Sequence, residues 1–441
     1  MNPIKTILLL LSMWCGTCVH LSGQSLLPDH LVLTWKEDPM TTQSVTWRTE
    51  DRLSSPQVQF MKATPSPYRT EMATTIRTAE SRVETEAGKP YFYYSATLTG
   101  LVPGTKYMYR VGAEENWTEW HQFRTTSQRD EAFSFIYLGD IQNDVLSWGA
   151  RTVRAAYAQA PNADFSLFAG DCVDDGHSDE EWMEWFDILG HLSASKSVVP
   201  VTGNHEYNTF RGAEEASLSL FWQDQFELPT NGPKGLEESV FYMDYKSMRL
   251  VVLNSNVALR SPEELEEQTK WLTSVLESNT QKWIVVSFHH ALFSARDGNH
   301  GDYPDLRNAW QPIFEKYGVD LVLMGHDHVY ARANKKTRNI EVPDGQAGPV
   351  YVVSVAGPKM YGIVPERRWM ERAAVNTQMY QIVTIEGDEL QFRAYTAIGE
   401  LYDSFDLKKR PGSFNGFIEH IDSATTPENK FPTGRYVRSK D

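Results

Sequence analysis

The chain has 441 residues, a length that predicts two or three domains and a sizeable buried core. Hydrophobic residues make up 41% of it and charged residues 23%, a composition that is typical of globular proteins and excludes wholesale disorder. The net charge of −16 argues against a nucleic-acid coat, because an acidic surface repels phosphate backbones.

Residues 1–23 have the layout of a secretory signal peptide. Lys5 precedes the apolar run Ile7–Trp14, and small residues suited to cleavage follow at Leu21–Gly23. The run is too short to span a bilayer comfortably, and no later segment offers about 18 unbroken apolar residues. We therefore expect an exported protein, secreted or periplasmic, with no transmembrane segment. A buried N-terminal strand or helix is the alternative.

Residues 24–127 are predicted to form an all-β sandwich, because short alternating runs are separated there by turn residues. The clearest runs are Leu31–Trp35, Ser44–Trp47, Tyr93–Leu98 and Tyr107–Val111. The stretch around Pro103 and Gly104 looks like the corner of a fibronectin type III domain. We expect this domain to be a spacer or one wall of a cleft, with a binding surface as the alternative.

Residues 131–407 are predicted to form an α/β domain, since strand-like apolar runs alternate there with amphipathic stretches of helical length. The predicted strands are Phe133–Leu138, Phe165–Ala169, Val198–Thr202, Met248–Leu253, Trp283–Phe288, Val319–Met324, Val350–Val355, Tyr380–Ile385 and Leu390–Ala394. The predicted helices are Val145–Gln159, Asp179–Leu192, Pro262–Leu276 and Asp305–Tyr317. Residues 408–441 form a polar tail without a clear period.

Five predicted strands end in the same way, usually at a glycine followed by a carboxylate, amide or imidazole. These blocks are Gly139-Asp140, Gly170-Asp171, Gly203-Asn204-His205-Glu206, His289-His290 and Gly325-His326-Asp327-His328. Because α/β sheets place ligand sites at the carboxyl ends of their strands, we expect the side chains to converge. Mixed carboxylates and imidazoles suit two cations such as Fe, Zn or Mn. Asp171 is the natural bridge between two metals about 3.5–4 Å apart.

The ordered blocks, with Val286-Ser287-Phe288-His289 as the fourth, resemble those of the calcineurin-like metallophosphoesterase family. The front domain and the stretch Gly325–Arg332 make the chain most similar to the purple acid phosphatase branch. This resemblance implies a four-layered α/β/β/α domain with a dinuclear metal centre. It assigns the first metal to Asp140, Asp171 and His328, and the second to Asp171, Asn204, His289 and His326.

Two positions depart from the family pattern. Purple enzymes place a ferric ligand, Tyr, three residues after the second Asp, where this chain has Asp174. Other members place His two residues after the first Asp, where this chain has Gln142. We expect the Gln142 amide oxygen to complete the first site, with Asp174 as the alternative. Without a phenolate ligand the protein should not be purple, and the case for ferric iron weakens.

The resemblance implies hydrolysis of small phosphate esters by in-line attack of a metal-activated water or hydroxide. Phosphomonoesters are the leading substrates; phosphodiesters of nucleotides or lipid head groups are the alternative. A non-enzymatic alternative is an extracellular binding protein with a vestigial metal site. His205 is expected to be the general acid or a phosphate clamp, and His290 and His300 are expected to help hold substrate. For His290 the alternative is support behind the ligands, and for His300 it is simple solvent exposure.

Two further residues of the blocks have expected roles outside the metal ligands. Glu206 is expected to orient the ligands, and Asp327 is expected to be structural. The sequence leaves the oligomeric state, the metal identity and the physiological substrate open.

Overall fold

The structure is a computed structural model that describes residues 26–127, 131–297, 303–334, 337, 339–364 and 369–420. Within those ranges no helix is long and apolar enough to cross a membrane. The predicted signal peptide, His300 and the chain from residue 421 onward lie outside the described residues.

The N-terminal part is the predicted two-sheet sandwich. One sheet has the order β1-β2-β6-β5 and the other the order β4-β3-β7-β8, with β9 also paired to β7. Buried side chains from both sheets, among them Trp47, Tyr94 and Tyr109, meet between them. The strands are β1 (Asp29–Thr34), β2 (Gln43–Thr49), β3 (Gln57–Lys62), β4 (Thr74–Arg77), β5 (Ala79–Glu84), β6 (Pro90–Leu98), β7 (Lys106–Ala113), β8 (Asn116–Trp117) and β9 (His121–Arg124).

The second part is the predicted α/β domain, and every predicted strand and helix has a counterpart in it. Its strands are β10 (Phe133–Leu138), β11 (Phe165–Phe168), β12 (Ser197–Pro200), β13 (Tyr207–Thr209), β14 (Ala216–Leu218), β15 (Phe241–Tyr245), β16 (Met248–Val252), β17 (Trp283–Ser287), β18 (Leu321–Met324), β19 (Tyr330–Ala333), β20 (Gln346–Ala347), β21 (Val350–Val353), β22 (Arg372–Ala374), β23 (Met379–Glu386), β24 (Glu389–Thr396), β25 (Leu401–Lys408) and β26 (Asn415–Glu419). Its helices are α1 (Ala150–Gln159), α2 (Asp179–Leu189), α3 (Trp222–Gln225), α4 (Ser255–Ala258), α5 (Pro262–Glu277) and α6 (Pro304–Tyr317).

Alternating burial along the strands establishes the predicted four layers. On β16, Leu250 and Val252 face the core between the two large sheets, whereas Val251 faces α5 and α6. Helices α1 and α2 pack on the other large sheet, through side chains such as Val153 and Trp182. The order is therefore helices, sheet, sheet, helices.

One sheet runs through both parts of the molecule. Its twelve strands have the order β20-β26-β25-β24-β23-β10-β11-β12-β1-β2-β6-β5. The junction is a parallel pairing of Leu33 with Ser197, which also binds the Gln43 side chain at 3.1 Å. At the far edge, β26 pairs with β25 and with β20. Strand β26 itself lies within residues 408–441, which were predicted to be a polar tail without a clear period. Main-chain hydrogen bonds thus join the sandwich to the sheet that carries the site.

A buried arginine reinforces the junction. Arg48 on β2 is fully buried, and its Nε lies 2.9 Å from Asp29 Oδ1 while Nη1 pairs with Asp179 at the start of α2. The guanidinium carbon lies 3.9 Å from the centre of the Tyr91 ring. The arrangement satisfies a charge that would otherwise be costly to bury.

We expect Arg48→Ala to lower the free energy of unfolding by about 3 kcal/mol, because it leaves two carboxylates at the junction without their partner. The matched control is Arg52→Ala, whose partner Glu80 forms an exposed ion pair, and which should cost under about 1 kcal/mol. Urea unfolding followed by circular dichroism measures both. Equal effects of the two substitutions would contradict this view of the junction.

Candidate metal centre

Parallel strands from both large sheets direct their carboxyl ends to one place. Strands β10, β11 and β12 are parallel neighbours in the twelve-stranded sheet, and β17 and β18 are parallel neighbours in the seven-stranded sheet. Each of the five is followed by one of the predicted blocks. The site is therefore built where the two sheets meet.

The ligand atoms form two groups that share one carboxylate. Asp140, Asp171 and His328 make up the first group, and Asp171, His289 and His326 the second. Within each group the candidate ligand atoms all lie within 4.8 Å of one another. The buried Asp171 belongs to both, which is the arrangement expected of a bridging ligand.

Hydrogen bonds behind two of the imidazoles determine which nitrogen faces the groups. His289 Nδ1 lies 2.9 Å from the Ala169 carbonyl oxygen, and His328 Nδ1 lies 2.9 Å from the Lys359 carbonyl oxygen. A carbonyl oxygen can only accept, so each Nδ1 carries the proton and donates it. In the neutral ring each Nε2 then presents a lone pair to the site, as a metal ligand must.

Three side-chain atoms converge at the second group. His326 Nε2 lies 2.6 Å from the Tyr303 hydroxyl, so Nδ1 is the nitrogen that faces the site. That Nδ1 is 2.9 Å from Asn204 Oδ1 and 3.3 Å from His289 Nε2, which is itself 3.1 Å from Asn204 Oδ1. An amide oxygen and two imidazole nitrogens at these distances need a proton or a metal cation among them. The donor set therefore fits a cation.

Two buried oxygens beside the first group have no hydrogen-bond donor in the described part of the chain. They are Asp140 Oδ2 and Gln142 Oε1. Asp140 Oδ2 lies 3.2 Å from His328 Nε2, the nitrogen left without a proton, while Gln142 Nε2 donates to Asp174 Oδ1 at 3.0 Å. Each unsatisfied buried acceptor costs about 1–3 kcal/mol. A cation in contact with Asp140 Oδ2 and Gln142 Oε1 would satisfy both oxygens.

Glycines let neighbouring strand ends approach the ligands closely. A Cβ at Gly203 would lie 2.1 Å from Asp171 Oδ1, and one at Gly325 would lie 2.2 Å from Asp140 Oδ1. Any other residue at these positions would push a carboxylate away. The sequence pattern predicts a sharp turn at each of these glycines, and close approach to the carboxylates is an additional requirement.

Glu206 has the orienting position that was predicted for it. Its carboxylate accepts hydrogen bonds from the backbone nitrogens of Asp171, Cys172 and Gly203, at 3.0, 2.8 and 2.6 Å. Burial raises the pKa of Glu206 to about 7. The contacts hold the backbone of Asp171 in a left-handed conformation with a φ of 51°, a strained conformation of the kind that is common at functional sites.

Asp327 has the structural position that was predicted for it. Its carboxylate accepts from the Ala295 backbone nitrogen at 2.7 Å and from the Ser294 hydroxyl at 3.2 Å. These bonds tie the loop that carries the two last histidine ligands to the loop after β17.

The three predicted catalytic histidines have different settings. The His205 side chain is 24% exposed, and its Nδ1 lies 2.6 Å from the Asp174 carbonyl oxygen. His290 is buried, its Nδ1 pairs with the Ser255 hydroxyl at 2.8 Å, and its ring packs on His326. The geometry of His290 favours the supporting alternative over substrate contact. His300 lies outside the described residues.

Burial and charge shift the pKa values within the site. Desolvation raises the pKa of Asp140 to about 7. Burial alone would raise the pKa of Asp171, but the charge of His289 brings it below its usual value. For His289 burial is outweighed by the two carboxylates, which raise its pKa to about 10. Burial lowers the pKa of His328 to about 3 and that of His326 well below its usual value.

Several supporting contacts were not predicted from the sequence. Tyr303 binds His326, the Lys359 carbonyl binds His328, and the Tyr361 ring packs against His328 at 4.8 Å. These residues lie in loops without periodicity, and a backbone carbonyl leaves no trace in residue type. The one available signal was that Tyr303 follows closely in sequence on His300, which was expected to help hold substrate.

Comparisons with known proteins agree with this architecture. Residues 28–125 match the purple acid phosphatase N-terminal domain, and residues 133–330 match the calcineurin-like phosphoesterase domain. An uncharacterised protein of Mycobacterium tuberculosis is 25% identical over 334 residues, which cover 69% of this chain and 62% of that protein. Purple acid phosphatase 15 of Arabidopsis thaliana is 25% identical over 287 residues, 58% of this chain and 52% of that protein.

A second Arabidopsis thaliana relative, Fe(3+)-Zn(2+) purple acid phosphatase 12, is 22% identical over 62% of this chain and 61% of its own. The chain thus spans 52–62% of the length of these three relatives. The solved structure of purple acid phosphatase PPD1 from yellow lupin seeds shares the fold, with a TM-score of 0.71 and 17% identity over 87% of this chain and 75% of that one.

By its fold and its paired ligand groups the chain is a calcineurin-like metallophosphoesterase. Within that family it belongs to the purple acid phosphatase branch, whose N-terminal domain it carries.

We expect metal binding at pH 7 to release at least about one proton, because His289 has its pKa raised to about 10 and Asp140 to about 7, and both must be unprotonated to become ligands. Metal affinity should accordingly rise with pH between about 7 and 10. Calorimetric titration of the metal-free protein with Zn²⁺, in two buffers of different protonation enthalpy, measures the release. Equal apparent enthalpies in the two buffers would contradict the expectation; His191→Ala, which changes an exposed histidine, is the control.

Proposed function

We propose that the protein is an exported dinuclear metal-dependent phosphoesterase that hydrolyses small phosphomonoesters. The observation that supports this most directly is the buried Asp171, which two groups of ligand atoms share. A pair of cations held by one bridging carboxylate is suited to clamping the oxygens of a phosphoryl group during in-line displacement. The proposed ligands are Asp140, Gln142, Asp171 and His328 for the first metal and Asp171, Asn204, His289 and His326 for the second.

The donor set favours Fe, Zn or Mn over Mg or Ca, because it contains three imidazoles. The first group offers two carboxylates and a neutral amide, which favours a divalent over a trivalent ion there. One relative is named as a Fe(3+)-Zn(2+) enzyme, so a mixed pair is the alternative. When bound, the metal ions supply the charge that acidifies water and neutralises phosphoryl oxygens.

His205 is proposed to bind the phosphate or to protonate the leaving oxygen. Its backbone nitrogen donates to Asp171 Oδ1 at 2.9 Å, which anchors it beside the shared carboxylate. Its Nδ1 donates to the Asp174 carbonyl, so Nε2 lies on the opposite edge of a ring that is partly exposed. That edge is available to a substrate, and proton transfer from a positioned histidine is worth about 10²–10⁴-fold in rate.

Different roles are proposed for His290, which supports a ligand, and His300, which contacts substrate. His290 supports the ligand His326 from behind, as its buried ring and its bond to Ser255 suggest. The proposed contact of His300 with substrate rests on its sequence position alone, between His290 and the start of α6.

We expect Asp171→Asn to lower kcat/KM for a monoester dye substrate by at least about 10³-fold, since it removes the shared charge from both groups. Far-UV circular dichroism should be unchanged. Asp187→Asn, which alters an exposed carboxylate on α2, is the control and should keep full activity.

A diester dye assayed in parallel separates the two enzymatic hypotheses. Faster turnover of the diester would replace the monoesterase proposal with the phosphodiesterase. A wild-type protein that binds two metals and hydrolyses neither dye would contradict the enzymatic proposal, and so would full activity in Asp171→Asn.

A further inference from the structure

The Asp174 carboxylate lies close to three side chains, those of Gln142, His205 and Lys359. Its Oδ1 accepts from Gln142 Nε2 at 3.0 Å, lies 3.4 Å from His205 Nδ1, and lies 3.9 Å from Lys359 Nζ. The Asp174 side chain is mostly buried, with 17% exposed. The amide of Gln142 is completely buried beside it.

We propose that Asp174 is a positioning residue that orients the Gln142 amide, so that its oxygen faces the first metal; this inference rests on the proposed function. A primary amide can present either its oxygen or its nitrogen, and the two orientations have nearly the same shape. A carboxylate can only accept, so Asp174 selects the orientation in which Nε2 faces it. Oε1 is then turned to the other side, where it is buried without a donor in the described chain.

Lys359 contacts both Asp174 and His328, a candidate ligand of the first group. Its ammonium group lies near the Asp174 carboxylate, and its carbonyl oxygen accepts the His328 Nδ1 hydrogen at 2.9 Å. One residue therefore lies beside the Asp174 carboxylate and also fixes the lone pair of His328. Both contacts direct a ligand atom toward the same metal position.

The geometry distinguishes this role from direct ligation by Asp174. The first group of mutually close ligand atoms contains Asp140, Asp171 and His328 but not Asp174. The Oδ1 atom of Asp174 is already within hydrogen-bond distance of Gln142. Gln142 Oε1, by contrast, is one of the two buried oxygens without a hydrogen-bond donor in the described chain.

The test is a double-mutant cycle on metal affinity, measured by calorimetric titration of the metal-free full chain with Zn²⁺. Asp174→Asn preserves the shape but can donate as well as accept, so it no longer selects one orientation of Gln142. We expect it to weaken binding at one of the two sites by about 10–100-fold and to leave the other site unchanged. In a Gln142→Ala background the same substitution should have no further effect.

Controls separate this role from a general loss of structure. Asp175→Asn changes the neighbouring carboxylate, which binds Asn208 and not Gln142, and should keep wild-type affinity. Asp174→Glu keeps an acceptor-only group and should retain most of the affinity. Unfolding of each metal-free variant in urea establishes that it is folded.

Two outcomes would overturn the inference while the proposed function stands: unchanged Zn²⁺ affinity in Asp174→Asn, or an equal loss in the wild-type and Gln142→Ala backgrounds. The second outcome would make Asp174 itself the ligand. A wild-type protein that binds fewer than two metals would contradict the proposed function and remove the basis of the inference.

Discussion

The structure depends on holding the Asp171 carboxylate where water hardly reaches it, at 1% exposure, between two groups of ligands. A buried carboxylate needs nearby positive charge, and in the metal-free protein the raised pKa of His289 shows a protonated imidazole providing it. A cation can take over that part once His289 has lost its proton, because Asn204 Oδ1, His289 Nε2 and His326 Nδ1 already converge. The site is thus arranged around a positive charge, which a proton on His289 or a metal ion can supply.

The fold supplies this arrangement by packing two sheets face to face, so that the carboxyl ends of parallel strands from both sheets meet at one end of the shared core. Asp140 and Asp171 come from one sheet and the histidine ligands from the other, so sheet packing sets the distances between them. A backbone bond from His326 to Asp140 Oδ1 at 2.6 Å ties the two sides together. The N-terminal sandwich extends the first sheet through the pairing of Leu33 with Ser197 and is therefore an integral part of the scaffold.

The sequence predicted the site better than its surroundings. Ligand residues stand in short blocks directly after buried strands, a pattern visible in one dimension, and the strands themselves have strong periodicity. The sheet that crosses the domain boundary depends on one long-range pairing, for which local pattern carries no signal. Likewise β26 lies in a polar segment whose strand character comes from pairing with β25. The contacts of Tyr303 and Lys359 come from loops, and the choice between Gln142 and Asp174 required the hydrogen-bond geometry.

One carboxylate, that of Asp171, serves both metal positions, and anomalous X-ray diffraction from crystals of the metal-loaded protein tests this most directly. We predict two peaks about 3.5–4 Å apart, with the Asp171 carboxylate bridging them and the Gln142 oxygen beside the one next to His328. A single peak, or two peaks of which only one contacts Asp171, would contradict the account.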